Sequence, residues 1–379
     1  MKGTQEGVAD FSMFREKIKG TTRPPVSMPD LPVATPQADE ELLATHGKTF
    51  HFATRFFPPE LRSSVVTLYA FFRTLDDLVD EPAAGKQPAD VRLELAAWQA
   101  WFTQNRAFAA PRQQLGSQLD ALLTVHPIPA TIFLDFLDGL ASDLEPREVH
   151  SFAELYRYCY QVAGTVGLAM TYLLGAHSPL ALLAAQNLGI AMQLTNILRD
   201  VGSDLAAGRL YIPLDDLKQF GSSRTHLFQL YHDHRGPDKR FCNLMRYQIA
   251  RAQRYYARGM HGIWLLPTNC RLPVLIAGRL YQRILTVIEH QEYDVLRARA
   301  ATTLLEKLHE AAIAFSLARL WSQGEASFAP EMEVFLERSS AHTIVDSYSN
   351  ASGPTRFTAH DLQFWRETSP SYLHADDRT

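Results

Sequence analysis

The sequence predicts an all-α fold, a single domain of helices packed around a central cavity. Three observations lead there. Apolar residues recur at helical spacing from about residue 40 to 322. No segment shows the two-residue alternation of a half-buried strand, and no internal repeat appears. Two strongly apolar helical stretches each carry a stripe of acidic residues, which a solid hydrophobic core would not tolerate.

Residues 1–38 are rich in Pro, Thr and Ser, with Arg23-Pro-Pro25 and three further prolines by Pro36, and read as a mobile leader. The first helix is expected to begin near Glu40 and to carry His46, Lys48 and Phe50. Pro58-Pro59 opens the second, because proline is accepted in a first turn, and Pro82 stops it. Further helical periodicity fills residues 90–145, where Leu93, Leu95, Trp98 and Trp101 are read as core.

Ser151-Phe-Ala-Glu154 is a capping box that opens a long helix ending near Leu174 and Gly175. Gly164 and Gly167 lie inside it, each costing about 1 kcal/mol relative to Ala. They mark either a close helix approach or room for a bound chain. Ser178-Pro179 starts the next helix. Beyond Pro213 a polar connection leads to helices near 237–265 and 272–296, and a last helix near 302–322. His232 and His234 sit in that connection and read as incidental. The expected domain is 39–324, followed by a tail, 325–379, of unknown role.

The acidic stripes carry the chemistry. In Gln193-Leu-Thr-Asn-Ile-Leu-Arg-Asp-Val-Gly-Ser-Asp204, the side chains of Asn196, Asp200 and Asp204 recur every four residues. On one α-helix they stack on a face that drifts by about 40° and rises roughly 6 Å per step. Ile190, Met192, Leu194, Ile197, Leu198 and Val201 make the rest apolar, so the segment is expected to be buried. In Tyr69-Ala-Phe-Phe-Arg-Thr-Leu-Asp-Asp-Leu-Val-Asp80, the residues Tyr69, Arg73, Asp76, Asp77 and Asp80 form a second stripe on an apolar helix. It lies at the C-terminal end, where the macrodipole disfavours anions, so a bound cation accounts for it better than stability does.

Oxygen ligands without Cys or His favour a hard cation, Mg²⁺ rather than zinc, with Mn²⁺ as the alternative. Mg²⁺ takes one or two carboxylates, keeps waters and bridges to phosphates. Arg73, Arg199 and Arg209 stand near both motifs and suit phosphate oxygens. The expected ligand is an organic diphosphate carried into an apolar cavity.

Composition bounds the context. The 379 residues are 46% hydrophobic and 21% charged, with a formal net charge of −4, which leaves no basic footprint for nucleic acid. Cys159, Cys242 and Cys270 form neither a disulfide framework nor a zinc spacing, so the cytoplasm is the expected compartment. Lys2, Arg15, Lys17 and Lys19 are not followed by the apolar core of a signal peptide, and no apolar run reaches the length of a membrane span. Peripheral membrane contact is expected only from the chemistry of an apolar substrate. The oligomeric state is open.

Four segments in register carry a resemblance: His46-Gly-Lys-Thr-Phe50, Arg73-Thr-Leu-Asp-Asp-Leu-Val-Asp80, Tyr158-Cys-Tyr-Gln-Val-Ala-Gly-Thr-Val-Gly167, and Leu188 to Asp204 closed by Gly208-Arg-Leu-Tyr-Ile-Pro213. Together they resemble the squalene and phytoene synthase family over roughly residues 40–300, most like its bacterial phytoene synthases. Ser203 departs from the Glu that many relatives carry. The resemblance implies a class I isoprenoid (terpenoid) synthase fold. It also implies head-to-head condensation of two prenyl diphosphates, through a cyclopropylcarbinyl diphosphate that ionises again.

By that resemblance Asp76, Asp77, Asp80, Asn196, Asp200 and Asp204 would hold metal. Tyr69, Arg73, Tyr158, Arg199, Arg209, Tyr211 and Tyr281 would act on the reacting groups. His46, Lys48, Thr49, Phe50, Val162, Gly167, Gln193 and either Arg297 or Arg299 would bind substrate. Phe50, Tyr69 and Tyr158 offer aromatic faces to a carbocation. Two geranylgeranyl diphosphates giving phytoene is the favoured reaction, and NADPH is not expected, in the absence of a glycine-rich dinucleotide fingerprint. Squalene, dehydrosqualene or hydroxysqualene synthesis from farnesyl diphosphate is the alternative. A noncatalytic assembly protein would not need clustered carboxylates.

Overall fold

A computed structural model describes residues 48–80, 87–145, 148–234 and 236–323, with the side chains of 48–50 and 320–323 excepted. All of these fall in one compact unit, Thr35–Thr379. The leader and the tail beyond 323 lie outside the described residues.

Among the described residues the structure is helical, with a lone parallel bridge between Glu148 and Leu210. The helices are α1 (Lys48–Thr54), α2 (Pro59–Asp80), α3 (Pro88–Thr103), α4 (Gln113–Val125) and α5 (Ala130–Ser142). Then come α6 (Phe152–Cys159), a π turn (Tyr160–Gly164), α7 (Thr165–Leu173), α8 (Pro179–Arg199) and α9 (Val201–Ala206). Last are α10 (Leu214–Gln219), α11 (Arg224–His232), α12 (Lys239–His261), a 3₁₀ turn (Gly262–Leu265), α13 (Thr268–His290) and α14 (Leu304–Gln323).

Local chemistry accounts for the boundaries. Ser151 Oγ accepts from the Glu154 amide at 3.3 Å, while the Glu154 carboxylate accepts from the His150 amide at 2.8 Å. The capping box therefore forms with its return bond one residue early. Ser178 Oγ accepts from the Ala181 amide and Pro179 occupies the first turn of α8. The polar connection after Pro213 holds two helices that its sequence does not announce, α10 and α11. Each is under three turns and draws its stability from packing, as short helices must.

Helix α8 organises the interior. It runs beside α12 and also meets α7, α13 and both irregular turns. Its length and mean hydropathy would allow it to cross a membrane, yet most of it is buried inside the protein. Backbone contact is close: a Cβ on Gly189 would lie 2.3 Å from the Ala163 carbonyl oxygen in the π turn. One on Gly167 would lie 2.4 Å from the Ala185 carbonyl oxygen. Close approach is therefore one reason for these glycines.

A second layer packs α3 against α5, while α2 meets α4, α5 and α7. Here Phe71, Phe72, Trp98, Phe102 and Phe133 are all at most 4% exposed and stack edge-on or face-on, Phe102 and Phe133 at 4.5 Å. Leu95, Trp98 and Trp101 are core as their spacing predicts. Leu93 is not, being 70% exposed. It sits about 200° around α3 from Leu95, on the face that turns to solvent.

Candidate active site

A cavity of about 480 Å³ opens among α2, α7, α8 and α13. Its wall joins an acidic and basic group of side chains to an apolar lining that includes Phe57, Phe72, Leu140, Val166, Met192 and Ala277. Such a pairing suits a ligand with a charged head and a hydrocarbon body.

The two acid-bearing segments meet at this cavity. Asp76 and Asp80 reach it from the end of α2; Asn196, Asp200 and Asp204 reach it from α8 and α9. Arg209 Nη1 donates to Asp80 Oδ1 at 3.0 Å and so ties the second segment to the first. Arg73 donates to Asp76 at 3.0 Å and is ion-paired with Asp77 as well. Arg199 and Arg299 both grip Asp200, with four N–H···O contacts of 2.6–3.0 Å.

Sequence spacing misplaces several details. Asn196, Asp200 and Asp204 do not share one unbroken helix, because α8 ends at Arg199 and Asp200 caps it with φ −103° and ψ 11°. The i→i−4 bonds persist through the joint, 2.9 Å from Asp200 to Asn196 and 2.9 Å from Asp204 to Asp200, so all three side chains still face the cavity. Asp77 does not line it. Adjacent helical residues point about 100° apart, so Asp76 and Asp77 cannot share one direction, and Asp77 turns into its pair with Arg73.

Arg299, not Arg297, lines the cavity; Arg297 instead pairs with Asp294 at 2.5 Å. Ser203 is exposed and donates to the Asp200 carbonyl at 2.8 Å, away from the carboxylates. His46 lies outside the described residues, as do the side chains of Lys48, Thr49 and Phe50, whose backbone forms the start of α1.

The remaining expected residues gather at the same wall. Tyr69, Tyr158, Tyr211 and Tyr281 line the cavity, and so do Val162, Gly167 and Gln193. At Gly167 the close packing on α8 accounts for the glycine, since a Cβ there would strike the Ala185 backbone, and the residue also borders the cavity. Asp143, at the C-terminal end of α5, is a residue that the motifs do not reveal. It accepts from Tyr158 Oη at 2.8 Å and Tyr211 Oη at 3.4 Å, and those two rings stack at 5.1 Å. A lone Asp after a helix reads as a surface cap, so sequence offers no signal beyond its apolar flank.

Comparison with known proteins identifies the family. The model of the squalene/phytoene synthase family matches residues 43–306. The 15-cis-phytoene synthase of Synechococcus elongatus is 36% identical over 282 residues, covering 71% of this chain and 88% of that protein. The chain belongs to the squalene/phytoene synthase family. The phytoene synthase of Arthrospira platensis is 35% identical over 283 residues, with the same two coverages, 71% and 88%. Among solved structures, a dehydrosqualene synthase in complex with ligand superposes with a TM-score of 0.65 at 26% identity, covering 74% of this chain and 95% of that one. A squalene synthase from Alicyclobacillus acidocaldarius shares the fold, with a TM-score of 0.59 at 24% identity over 70% of this chain and 97% of that one. The all-α terpenoid synthase fold is thereby established.

Members of this family need a divalent metal to bind prenyl diphosphates, and the residues present fit one. Asn196 Oδ1 is buried without a hydrogen-bond partner while its amide nitrogen donates to Gln193 at 3.2 Å, which leaves an orphaned acceptor at the cavity wall. Burial and the nearby Asp80 push the Asp76 carboxyl up to about 7 against the pull of Arg73. Burial, with Asp200 close by, does the same to Asp204, also to about 7, despite Arg209. These are the marks of an anionic cluster short of positive charge. Asp200 is the reverse: although burial raises it, its hydrogen bonds from Arg199 and Arg299 carry it below the usual carboxylate range. Among the described residues no three His, Cys, Asp or Glu side chains enclose an ion by themselves.

Proposed function

We infer that this protein joins two molecules of geranylgeranyl diphosphate head to head, giving phytoene by way of prephytoene diphosphate. The observation that carries the reading is the meeting of Asp76 and Asp80 with Asn196, Asp200 and Asp204 at one apolar cavity, bridged by Arg209. A scaffold protein has no use for it. The names of the curated relatives support the phytoene product.

Asp76, Asp80, Asn196, Asp200 and Asp204 would hold Mg²⁺, whose chemistry is that of a Lewis acid on diphosphate oxygens. The protein's own groups do the rest. Arg73, Arg199, Arg209 and Arg299 offer guanidinium donors to the negative charge that grows as the carbon–oxygen bond breaks. Bidentate donors of this kind also fix the diphosphate, so that the allylic carbon lies within the cavity. The apolar walls around Phe72, Val166 and Met192 exclude water, which would quench the cation. Tyr69 and Tyr158 line the same wall, where their rings would meet the cation.

The atoms balance without a reductant. Two diphosphates leave, two protons are lost, and one carbon–carbon bond joins the chains. Squalene formation would replace the last proton loss with hydride from NADPH. The solved dehydrosqualene synthase keeps farnesyl diphosphate as the second reading, with the same cavity and a shorter chain.

Incubating purified protein and Mg²⁺ with geranylgeranyl or farnesyl diphosphate, with and without NADPH, tests this by product mass. Phytoene independent of NADPH is expected. A C30 product only, or none from either substrate, overturns the reading.

A further inference from the structure

Asp216 on α10 and Arg251 on α12 form a buried ion pair, each residue 6% exposed, and neither lines the cavity. Arg251 Nη1 donates to Asp216 Oδ2 at 2.6 Å and Nη2 to Oδ1 at 3.2 Å, the parallel two-bond grip of a guanidinium on a carboxylate. Gln248 Nε2 donates to Asp216 Oδ2 at 2.8 Å, and Arg251 also donates to Gln248 Oε1 and Tyr247 Oη at 3.0 Å each. Arg251 Cζ lies 3.9 Å from the centre of the Phe152 ring, at the start of α6. Burying two charges is a poor way to stabilise a fold, since apolar side chains of similar volume often do as well or better. What the pair supplies is direction.

The two groups that Arg251 holds flank one ribbon of backbone. Residues 208–213 run beside residues 148–150: Leu210 bridges Glu148, and the amides of Leu214 and Asp215 donate to the carbonyls of Val149 and His150 at 2.9 and 3.1 Å. Asp216 follows one side of this ribbon and Phe152 follows the other. Leu210 and Ile212 are buried, whereas the alternate residues Arg209 and Tyr211 turn to the cavity. The ion pair of Arg209 with Asp80 is too open to solvent to hold this stretch by itself. A bond from Arg224 to the Gly208 carbonyl, 3.0 Å, is exposed as well.

We propose that Arg251 is a positioning residue for the reaction inferred above, on which this proposal rests. By holding Asp216 and Phe152 together it fixes residues 208–213 along 148–150, and so keeps Arg209 at the cavity.

Arg251→Met/Asp216→Leu tests this by replacing the pair with apolar groups, and Arg251→Lys by keeping the charge without the two-bond grip. The apolar pair should melt within about 5 °C of the parent. It should nevertheless lower kcat at least about tenfold, as displaced groups do, and Arg251→Lys should lower kcat too. In an Arg209→Ala background the apolar pair should cost less than about threefold more, because the group it places is gone. Hydrogen exchange at the Leu214 and Asp215 amides should quicken at least about fivefold while α8 is unchanged. Parent-like kcat in the apolar pair overturns the proposal, as does a loss that adds in full to that of Arg209→Ala. Exchange that quickens equally in α8 overturns it too, by making the ion pair a support of the whole fold. Exchange needs no substrate: should the parent form no prenyl product, the inferred reaction fails, and unchanged exchange would overturn the grip on residues 208–215 while faster exchange would support it.

Discussion

Arg209 donates to Asp80 at 3.0 Å, although the two residues stand 129 positions apart. This one contact joins the acid-bearing end of α2 to the loop that follows α9. Both partners are partly open to solvent, 38% and 47%, so the pair itself adds little to stability. Its significance lies in where it holds a guanidinium, at the rim of a cavity lined by Asp76 and Asp80 from one segment and Gln193, Asn196, Asp200 and Asp204 from the other.

Arg209→Ala should therefore lower kcat/KM by about 10²–10³, the usual loss when a donor to developing charge is removed. Helical circular dichroism should stay unchanged. Steady-state kinetics on a prenyl diphosphate measures it, and a variant as active as the parent would remove Arg209 from the reaction.

Arg297 and Arg299 make a paired prediction. Arg299 grips Asp200, whereas Arg297 is bound to Asp294 outside the cavity. Arg299→Ala should raise KM about tenfold or more, the scale of one charge-assisted hydrogen bond, and Arg297→Ala should leave KM within a factor of two or so on the scale of a surface ion pair. The opposite ranking in initial-rate assays would show that diphosphate enters from another side.

Metal dependence follows from the acidic cluster. Chelation should abolish turnover and Mg²⁺ should restore it, while Asp76→Asn and Asp200→Asn should each abolish turnover and keep the helical fold. Calorimetric titration of Mg²⁺ with inorganic pyrophosphate would register the loss of the site without any turnover.

The pH dependence of the metal-free protein has a definite sign. Asp76 and Asp204 have ordinary carboxyl values of 3.8 but stand at about 7 in the folded protein, chiefly through burial. A carboxyl raised in this way binds its proton more tightly folded than unfolded. Its contribution to stability is complete below 3.8 and is lost as pH rises through about 7. The Asp76 side chain remains 38% accessible, so solvent entering the cavity moderates the effect. Melting temperature without metal should fall between about pH 4 and 7 on account of these two groups, and Asp76→Asn should flatten the slope. Metal ions compete with the same protons, so Mg²⁺ affinity should rise across that window.

Gly189→Ala tests the packing that shapes the wall. Its Cβ would sit 2.3 Å from a backbone oxygen of the π turn, where no side chain can yield. Overpacking of this kind costs about 1–3 kcal/mol. A drop in melting temperature of at least about 2 °C is expected by differential scanning calorimetry, given the usual conversion for larger domains. An unchanged value would mean that the π turn is free to move away from α8.

Asp143→Ala removes the acceptor shared by Tyr158 and Tyr211. The tyrosine stack should lose its orientation, and kcat should fall about 10²-fold as misplaced groups usually cause. Asp143→Asn, which keeps an acceptor oxygen, should recover a large part of that loss.

Much of this protein is determined by local sequence. The helical period, the Ser151 and Ser178 caps and the Pro59 start define most of the helices, because capping and periodicity are decided within a few residues. The acidic stripes likewise declare themselves, since carboxylates at regular spacing inside an apolar run are too costly to bury without a cation or donors to meet them. Tertiary structure decides the rest. It turns Asp77 away from the cavity, places Leu93 in solvent, breaks the helix at Asp200 and selects Arg299 over Arg297. It also brings Asp143 to two tyrosines and Arg209 to Asp80. Helix geometry alone separates Asp77 from Asp76 and Leu93 from Leu95, but which side of each helix faces inward, and the contacts that Arg299, Asp143 and Arg209 make, are fixed only once the helices pack.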